Sequence, residues 1–202
     1  FLLWKLSGGQ IHATDVSNAS RTQLMDLSTL DYSSEMMHLM GVKYDMLPQI
    51  HASGGVFGVT SKVAGLPSGI PMAGVLGDQQ SALFGQLCFD AGEAKITYGT
   101  GSFLLMNTKR KKILSKNGLL TTVAWQLPKE NQADFALEGG AFICGAAVQW
   151  LRDNLNLVKQ SPEIEKWARK VNSADGVQFI PSFAGLGAPF WDPQVRGTIF
   201  GL

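Results

Sequence analysis

The sequence predicts an α/β fold built around a mixed sheet, and three observations support this prediction. Strand-like runs, rich in apolar residues, lie at 94–98, 103–107, 118–125, 134–138 and 177–181. Apolar residues at helical spacing indicate two helices, at 142–155 and from Pro162 to Val171. The resulting order (hairpin, strand, strand, helix, helix, strand) is typical of a layered α/β fold. Hydrophobic residues make up 45% of the chain and charged residues 16%, as in a globular protein.

Shorter elements are predicted in the first half of the chain. They are a helix at 1–6, a polar turn rich in capping residues at 14–18, a helix at 34–40, a Gly- and Pro-rich loop with brief strands at 54–73, and a helix that begins after Asp78. Gly8 and Gly9 are expected to end the first of these helices, and Gly41 the second. The composition changes near residues 88–92, which predicts a domain boundary between 1–88 and 89–202.

Charge and cysteine usage exclude several functional classes. The net charge of +1 argues against nucleic acid as a partner, and the basic run Lys109–Lys112 is interpreted as a solvated hairpin end. Cys88 and Cys144 lie far apart without ligand spacing, so neither a disulfide framework nor a zinc site is predicted. With no secretory signal, we expect a cytoplasmic protein. No apolar run reaches the roughly 18 residues of a membrane span.

The ends of the sequence suggest a fragment of a larger protein. The chain begins with an apolar run at 1–6 and stops within a second apolar run at 198–202. Both ends are interpreted as cuts inside secondary structure.

The most informative segment is 74–85, where an apolar run ends in Gly77 and Asp78 opens a helix. A carboxylate at such a strand-to-helix turn can take a proton from an alcohol that attacks phosphorus. Asp78 can instead be the helix N-cap, and the local pattern alone favours the cap. Gln79 either binds a polyol or faces solvent in the first turn.

A second glycine-rich turn lies about twenty residues further on, at 97–102. Gly99 and Gly101 would let backbone N–H groups surround an anion, and the Thr100 hydroxyl would add a hydrogen bond to a terminal phosphate. A plain hairpin, in which glycine supplies positive φ, is the commoner structure, and this turn is not a Walker loop.

A third candidate pairs Gly145 with Gln149, which share one helix face. Gly145 would admit a flat ring or a sugar close to the helix, and Gln149 would bond ribose or base. The alternative is a helix packed tightly against the sheet through Gly and Ala. Phe103 either forms the apolar wall of a small substrate site or is a core strand residue. The three histidines lie in unrelated contexts, so a metal site is not identified.

Several segments, which follow one another over nearly the whole chain, are more specific than these local patterns. They are Thr14–Thr22, Gly77–Cys88, Thr97–Thr108, Asn117–Thr122, Ala136–Gly139, Gln149–Asp153 and Gly185–Pro193. Together they resemble the glycerol kinases of the FGGY carbohydrate kinase family. The resemblance implies an actin-like ATPase fold, with two ribonuclease-H-like lobes around a cleft. Residues 1–88 would end the glycerol-binding lobe, and 89–202 would begin the nucleotide-binding lobe.

The resemblance also implies a reaction and the residues that perform it. ATP and glycerol would give ADP and sn-glycerol 3-phosphate, with Mg²⁺ accompanying ATP. Asp78 would be the catalytic base, Gln79 would contact glycerol, and Phe103 would line the glycerol pocket. The residues expected at the nucleotide are Gly99, Thr100, Gly101, Gly145 and Gln149.

Departures from the family pattern limit these expectations. The phosphate loop, the Arg-Glu pair that grips glycerol and the adenine-site segment are absent, so we do not expect the isolated chain to be a competent kinase. The stretch 61–69 lacks the Arg with which some bacterial members bind fructose 1,6-bisphosphate. A kinase for another polyol or ketose, and a non-catalytic relative of the same fold, are the alternatives. A homo-oligomer is left open.

Overall fold

A computed structural model describes residues 1–63 and 65–202. The chain divides into two compact units. Unit 1 comprises 1–95, 105–114 and 121–137, and unit 2 comprises 96–104, 115–120 and 138–202. The stretch 61–69 is the one compared above with the fructose 1,6-bisphosphate loop of some family members. It includes Ala64, which lies outside the described residues.

Short helices and strands make up the first part of unit 1. They are α1 (Leu2–Leu6), β1 (Ala13–Asp15), α2 (Val16–Ala19), β2 (Met25–Asp26), β3 (Asp31–Tyr32), α3 (Ser34–Met40), a 3₁₀ turn (Tyr44–Met46), β4 (Gln49–His51), β5 (Gly54–Val59), β6 (Pro71–Gly74) and α4 (Asp78–Gly85). Strands β1 and β4 pair in parallel, whereas β2 with β3 and β5 with β6 pair antiparallel.

Four longer strands follow, and the division between the units passes across them. They are β7 (Ala94–Tyr98), β8 (Ser102–Lys109), β9 (Leu120–Trp125) and β10 (Asp134–Ala141), in the sheet order β7-β8-β10-β9. Unit 2 continues with α5 (Gly145–Asp153), α6 (Glu163–Ala168), β11 (Gln178–Ile180) and β12 (Thr198–Phe200). Strands β11 and β12 pair antiparallel in a sheet of their own.

Two apolar clusters form the core of unit 1, and each contains residues of β9 and β10. One cluster joins Val16 of α2 to Val123 and Phe135, and the other joins Leu83 of α4 to Ala124. Because successive side chains of a strand point to opposite faces, Val123 and Ala124 place these clusters on the two faces of the sheet. Helices α2 and α4 therefore pack on opposite faces within unit 1.

Aromatic contacts hold α5 to β11 in unit 2. The Trp150 ring stacks on Phe179 with centroids 5.6 Å apart and lies 5.0 Å from Phe183. Such offset contacts between large rings bury apolar area and favour defined geometries. Helix α5 has no fully buried residue of its own, so these rings provide its main side-chain anchor.

The predicted helices and the five predicted strands are confirmed with shifted ends, whereas α2 and the short strands β1 to β4 and β12 were not predicted. Ser33, not Ser34, caps α3, with its hydroxyl accepting the Met36 N–H at 3.3 Å, and Gly41 ends that helix in the left-handed conformation. The prediction of a polar turn at 14–18 is wrong, because these residues form the end of β1 and the first three residues of α2, although Asp15 does cap that helix. The helix predicted over 142–155 begins only at Gly145, because β10 extends to Ala141. Within the described part of the chain, no helix has the length and apolarity needed to cross a membrane.

Candidate active site

Asp78 is the first residue of α4, and its carboxylate is exposed. The N-cap is Gly77, in extended conformation, and it makes no side-chain capping bond. The Asp78 carboxylate accepts the backbone N–H of Gln79 at 2.8 Å and the Gln79 side-chain amide at 3.4 Å. The local interpretation of Asp78 as the N-cap is therefore wrong. Among the described residues no ion pair with Asp78 is found, so the carboxylate is accessible to a ligand.

Helix α4 is fixed by its apolar face. Leu83 is fully buried, and the Phe84 ring meets the Trp125 ring edge-on with centroids 5.2 Å apart. Burying a side chain of this size contributes about 1.5–3 kcal/mol. The first turn of α4 therefore has a defined position, and a negative charge there is favoured by the helix dipole.

A buried polar network holds the backbone just before Asp78. The N–H of Gly77 donates to the hydroxyl of Ser17 at 2.9 Å. The fully buried Asp15 carboxylate caps α2 by accepting the N–H groups of Ser17 and Asn18, both at 3.0 Å, and it also accepts the Ser53 hydroxyl at 2.6 Å. Hydrogen bonds to a buried charge are the strong ones, so this network fixes the loop that carries Asp78.

The two glutamines that follow Asp78 have different environments. Gln79 is partly exposed and lies beside Asp78. Its side-chain carbonyl oxygen accepts a hydrogen bond from the ammonium group of Lys95. Gln80 is buried, and its amide donates to the carbonyl oxygen of Val123 at 3.2 Å. Gln79 is therefore the amide available at the carboxylate, whereas Gln80 ties α4 to β9.

In unit 2 the glycine-rich turn and the start of α5 are joined by backbone hydrogen bonds. The carbonyl oxygen of Gly99 accepts the N–H of Gly145 at 2.9 Å, and that of Thr100 accepts the N–H of Cys144 at 2.8 Å and of Ala146 at 3.2 Å. A Cβ on Gly145 would lie 2.6 Å from the Gly99 oxygen. Two segments that the sequence predicts separately for the nucleotide thus form one structure.

Close backbone approach, not positive φ, explains the glycines of this turn. Neither Gly99 nor Gly101 has a positive φ, and a Cβ on Gly101 would lie 2.7 Å from the carbonyl oxygen of Ala141. The Thr100 side chain is exposed, and its hydroxyl has no hydrogen-bond partner in the described part of the chain. The N–H groups of Cys144, Gly145 and Ala146 at the start of α5 are occupied, whereas the Thr100 hydroxyl is a group that this turn can offer to a ligand.

The other two predicted residues are also in unit 2. Phe103 is partly buried on β8, and a Cβ on Gly140 would lie 3.2 Å from its ring. Gln149 is exposed on α5, one turn after Gly145. The structure thus places Asp78 and Gln79 together in unit 1. It groups Gly99, Thr100, Gly101 and Gly145 in unit 2.

Four supporting residues are missed by the sequence analysis: Ser17, Ser53, Gln80 and Lys95. The motif that contains Ser17 is part of the family resemblance, but its residues are interpreted there only as a capping turn. Lys95 does carry a signal, because it is a charged residue in an otherwise uncharged strand-like run at 94–98. The partners of Ser53 and Gln80 are far away in sequence, and nothing local indicates them.

Within the described residues, neither the apolar cavity of unit 1 nor a group of metal-ligating side chains indicates where the candidate site lies. A cavity of about 570 Å³ in unit 1 is lined mainly by apolar residues of α1 and β6, and neither Asp78 nor Gln79 lines it. Within residues 1–63 and 65–202, no group of three His, Cys, Asp or Glu side chains could hold a metal ion.

Comparisons with known families match both halves of the chain. The model of the N-terminal domain of the FGGY family of carbohydrate kinases matches residues 1–85. The model of the C-terminal domain of the same family matches residues 94–202.

Curated relatives carry the name glycerol kinase. The protein from Bdellovibrio bacteriovorus is 55% identical over all 202 residues, and the one from Thermus thermophilus is 50% identical over the same length. The chain spans 41% of the former and 40% of the latter.

Solved structures agree with this assignment. The crystal structure of Plasmodium falciparum glycerol kinase with ADP is 39% identical and superposes with a TM-score of 0.87, covering 100% of this chain and 40% of that one. A gluconate kinase from Lactobacillus acidophilus shares the fold at 20% identity, with a TM-score of 0.83 and the same coverage. The chain has the actin-like ATPase fold, and it belongs to the FGGY family of carbohydrate kinases.

Proposed function

We propose that the full-length protein transfers the γ-phosphoryl group of ATP to glycerol, and releases ADP and sn-glycerol 3-phosphate. The activity is proposed for the full-length protein because the chain spans only 41% of its curated relatives. The names of these relatives support glycerol as the acceptor, and the ADP complex of the Plasmodium enzyme supports an adenine nucleotide as the donor.

The observation that carries the proposal is the accessible Asp78 carboxylate. It is held at the start of α4 by two hydrogen bonds from Gln79 and is not used as a helix cap. In the proposed reaction Asp78 accepts the proton of the glycerol hydroxyl while the hydroxyl oxygen bonds to the γ-phosphorus. The bond from the γ-phosphorus to the bridging oxygen breaks, and ADP leaves with that electron pair.

The rest of the site supplies binding. We propose that Gln79 hydrogen-bonds glycerol beside Asp78 and that Phe103 forms an apolar wall for the carbon chain. The exposed Thr100 hydroxyl would donate to a nucleotide phosphate, with Gly99 and Gly101 keeping the turn free of side chains. Gly145 and Gln149 would contact the nucleotide itself.

Magnesium would enter with ATP. This ion is bound mainly by phosphates, water and one or two carboxylates, so it needs no cage of protein ligands. The described residues contain no such cage, and each step above is assigned to the chain's own side chains.

The domain division and the cellular setting are part of the same proposal. Residues 1–88 would end the glycerol-binding lobe and 89–202 would begin the nucleotide-binding lobe, which the two family matches at 1–85 and 94–202 support. A cytoplasmic location is supported by the free thiols of Cys88 and Cys144.

A substrate panel tests the proposal. The full-length protein would be assayed for ADP release with ATP and glycerol, a pentulose or gluconate as the acceptor. We expect glycerol to have the highest kcat/KM, by at least about tenfold, because a site built to bond specific hydroxyls discriminates strongly. A preference for the pentulose or gluconate would change the substrate assignment. Calorimetry with ATP and glycerol that detects no binding would favour a non-catalytic relative.

A further inference from the structure

Lys95 occupies an unusual place for a lysine. It lies on β7 with only 6% of its surface exposed, whereas its neighbour Ile96 is 48% exposed. The strand therefore turns its charged residue inward and an apolar residue outward. Burying an ammonium group is costly unless the group is paired and hydrogen-bonded, so this inversion calls for a specific partner.

One partner of the Lys95 ammonium group is the amide of Gln79. The Lys95 ammonium donates to the Gln79 carbonyl oxygen, and the Gln79 amide nitrogen donates to the Asp78 carboxylate at 3.4 Å. A lysine ammonium can only donate and an ionised carboxylate can only accept. An amide placed between these two groups can form a hydrogen bond with each of them in only one orientation. Its oxygen must face Lys95 and its nitrogen must face Asp78.

We propose that Lys95 is a positioning residue for phosphoryl transfer, which fixes the Gln79 amide so that its N–H group holds the Asp78 carboxylate in place. This inference rests on the proposed function. In this proposal Lys95 acts on the reaction through Gln79 and makes no direct contact with the alcohol or the nucleotide. Without the ammonium group, the amide can turn over and present its oxygen to Asp78, which repels the carboxylate and removes one of its two hydrogen bonds.

The inference predicts a particular kinetic signature. In the full-length protein, Lys95→Met would lower kcat for glycerol by about 10- to 100-fold, since small displacements of a reacting group cost this much. KM for ATP would stay unchanged, because the nucleotide is proposed to bind through residues of unit 2. The matched control is Lys109→Met, which removes a lysine that is 41% exposed and pairs with Asp90 at 3.7 Å, and which should leave kcat unchanged.

A double-mutant cycle tests the route through Gln79. If Lys95 acts through this amide, Lys95→Met added to Gln79→Met lowers kcat no further than Gln79→Met alone. Equal losses from Lys95→Met in both backgrounds would show that Lys95 acts by another route, and would overturn the inference.

A second pair of variants covers the case in which Lys95→Met does not fold. Lys95→Arg keeps a side chain that only donates and should retain kcat within about threefold, whereas Lys95→Gln can present either end and should lose about tenfold. Equal kcat values for these two variants would refute the positioning role. An inactive wild-type protein would instead refute the proposed function, and this inference with it.

Discussion

The two units build their parts of the candidate site from different materials. In unit 1, Asp78 is supported by the side chains of Ser17, Gln79 and Lys95 and by the buried carboxylate of Asp15. In unit 2, the turn at 99–101 is supported by the backbone. Its carbonyl oxygens accept the first N–H groups of α5, and glycines allow the close approach.

The hydrophobic cores of the two units differ as well. Among the described residues, every buried apolar side chain except Val158 belongs to unit 1. Unit 2 relies instead on half-buried aromatic contacts, and on glycines at which an added Cβ would meet a backbone oxygen. The site in unit 1 should therefore be sensitive to the removal of side-chain atoms, and that in unit 2 to their addition.

The largest expected effect is at Asp78. In the full-length protein, Asp78→Asn should lower kcat by about 10²- to 10⁴-fold, the usual contribution of a general base, while ATP affinity is retained. Steady-state kinetics and calorimetry measure the two quantities. Asp90→Asn, which changes an exposed carboxylate that pairs with Lys109, is the matched control. Turnover of Asp78→Asn close to that of the wild type would reject Asp78 as the base.

Adding one methyl group to unit 2 should have the next largest effect. In Gly145→Ala the new Cβ would lie 2.6 Å from the Gly99 oxygen, so the turn or α5 must move. Overpacking of this kind costs about 1–3 kcal/mol, and we expect ATP affinity to fall by about tenfold or more. Gly85→Ala is the control, because no atom lies within 4 Å of its added Cβ. Unchanged ATP affinity in Gly145→Ala would separate this turn from nucleotide binding.

Removing one hydroxyl from unit 1 should reduce stability. Ser17→Ala leaves the partly buried Gly77 N–H without its acceptor, and we expect a cost of about 1 kcal/mol, at the low end of the range for a buried donor. The change would appear as a lower midpoint in urea unfolding, with a smaller loss of kcat because Gly77 precedes Asp78. Ser28→Ala, at an exposed serine, should alter stability by no more than about 0.5 kcal/mol. Equal midpoints for the two variants would contradict the supporting role of the network.

The smallest effect, on reactivity alone, compares the two cysteines. Burial raises the pKa of the Cys88 thiol, with a smaller contribution from the nearby Glu93 carboxylate, whereas Cys144 of unit 2 is only half-buried. At pH 8, iodoacetamide should label Cys144 first and Cys88 only after unfolding, as mass spectrometry would detect. Rapid labelling of Cys88 in the native protein would contradict its burial.

The same shift has a consequence for stability at alkaline pH. Because the pKa of Cys88 is higher in the folded than in the unfolded chain, the folded state binds more protons between these two values. Its contribution to stability is complete below the ordinary thiol pKa and is lost as the pH rises above it. Cys88→Ala should reduce the alkaline decline of the unfolding midpoint.

The local sequence was sufficient where the signal is local. Gly41 as the end of a helix, the hairpin around Thr100 and the apolar periodicity of α5 all depend on residues within a few positions of one another. Assigning a role to Asp78 needed more, because the local pattern favoured a cap. The resemblance of several ordered segments pointed to the family, which the two domain matches then established.

By itself, the sequence determined the α/β class, the order of the longer elements, the family and the residues to be tested, because periodicity, turn chemistry and motifs depend on neighbouring positions. Only the tertiary structure decided which side chains support Asp78 and why a glycine is needed at position 145. Ser17 and Gly77, which share a hydrogen bond, are 60 positions apart in sequence, and Gly99 and Gly145, which bond through the backbone, are also far apart in sequence. Contacts of this kind depend on packing between distant segments, which no local pattern encodes.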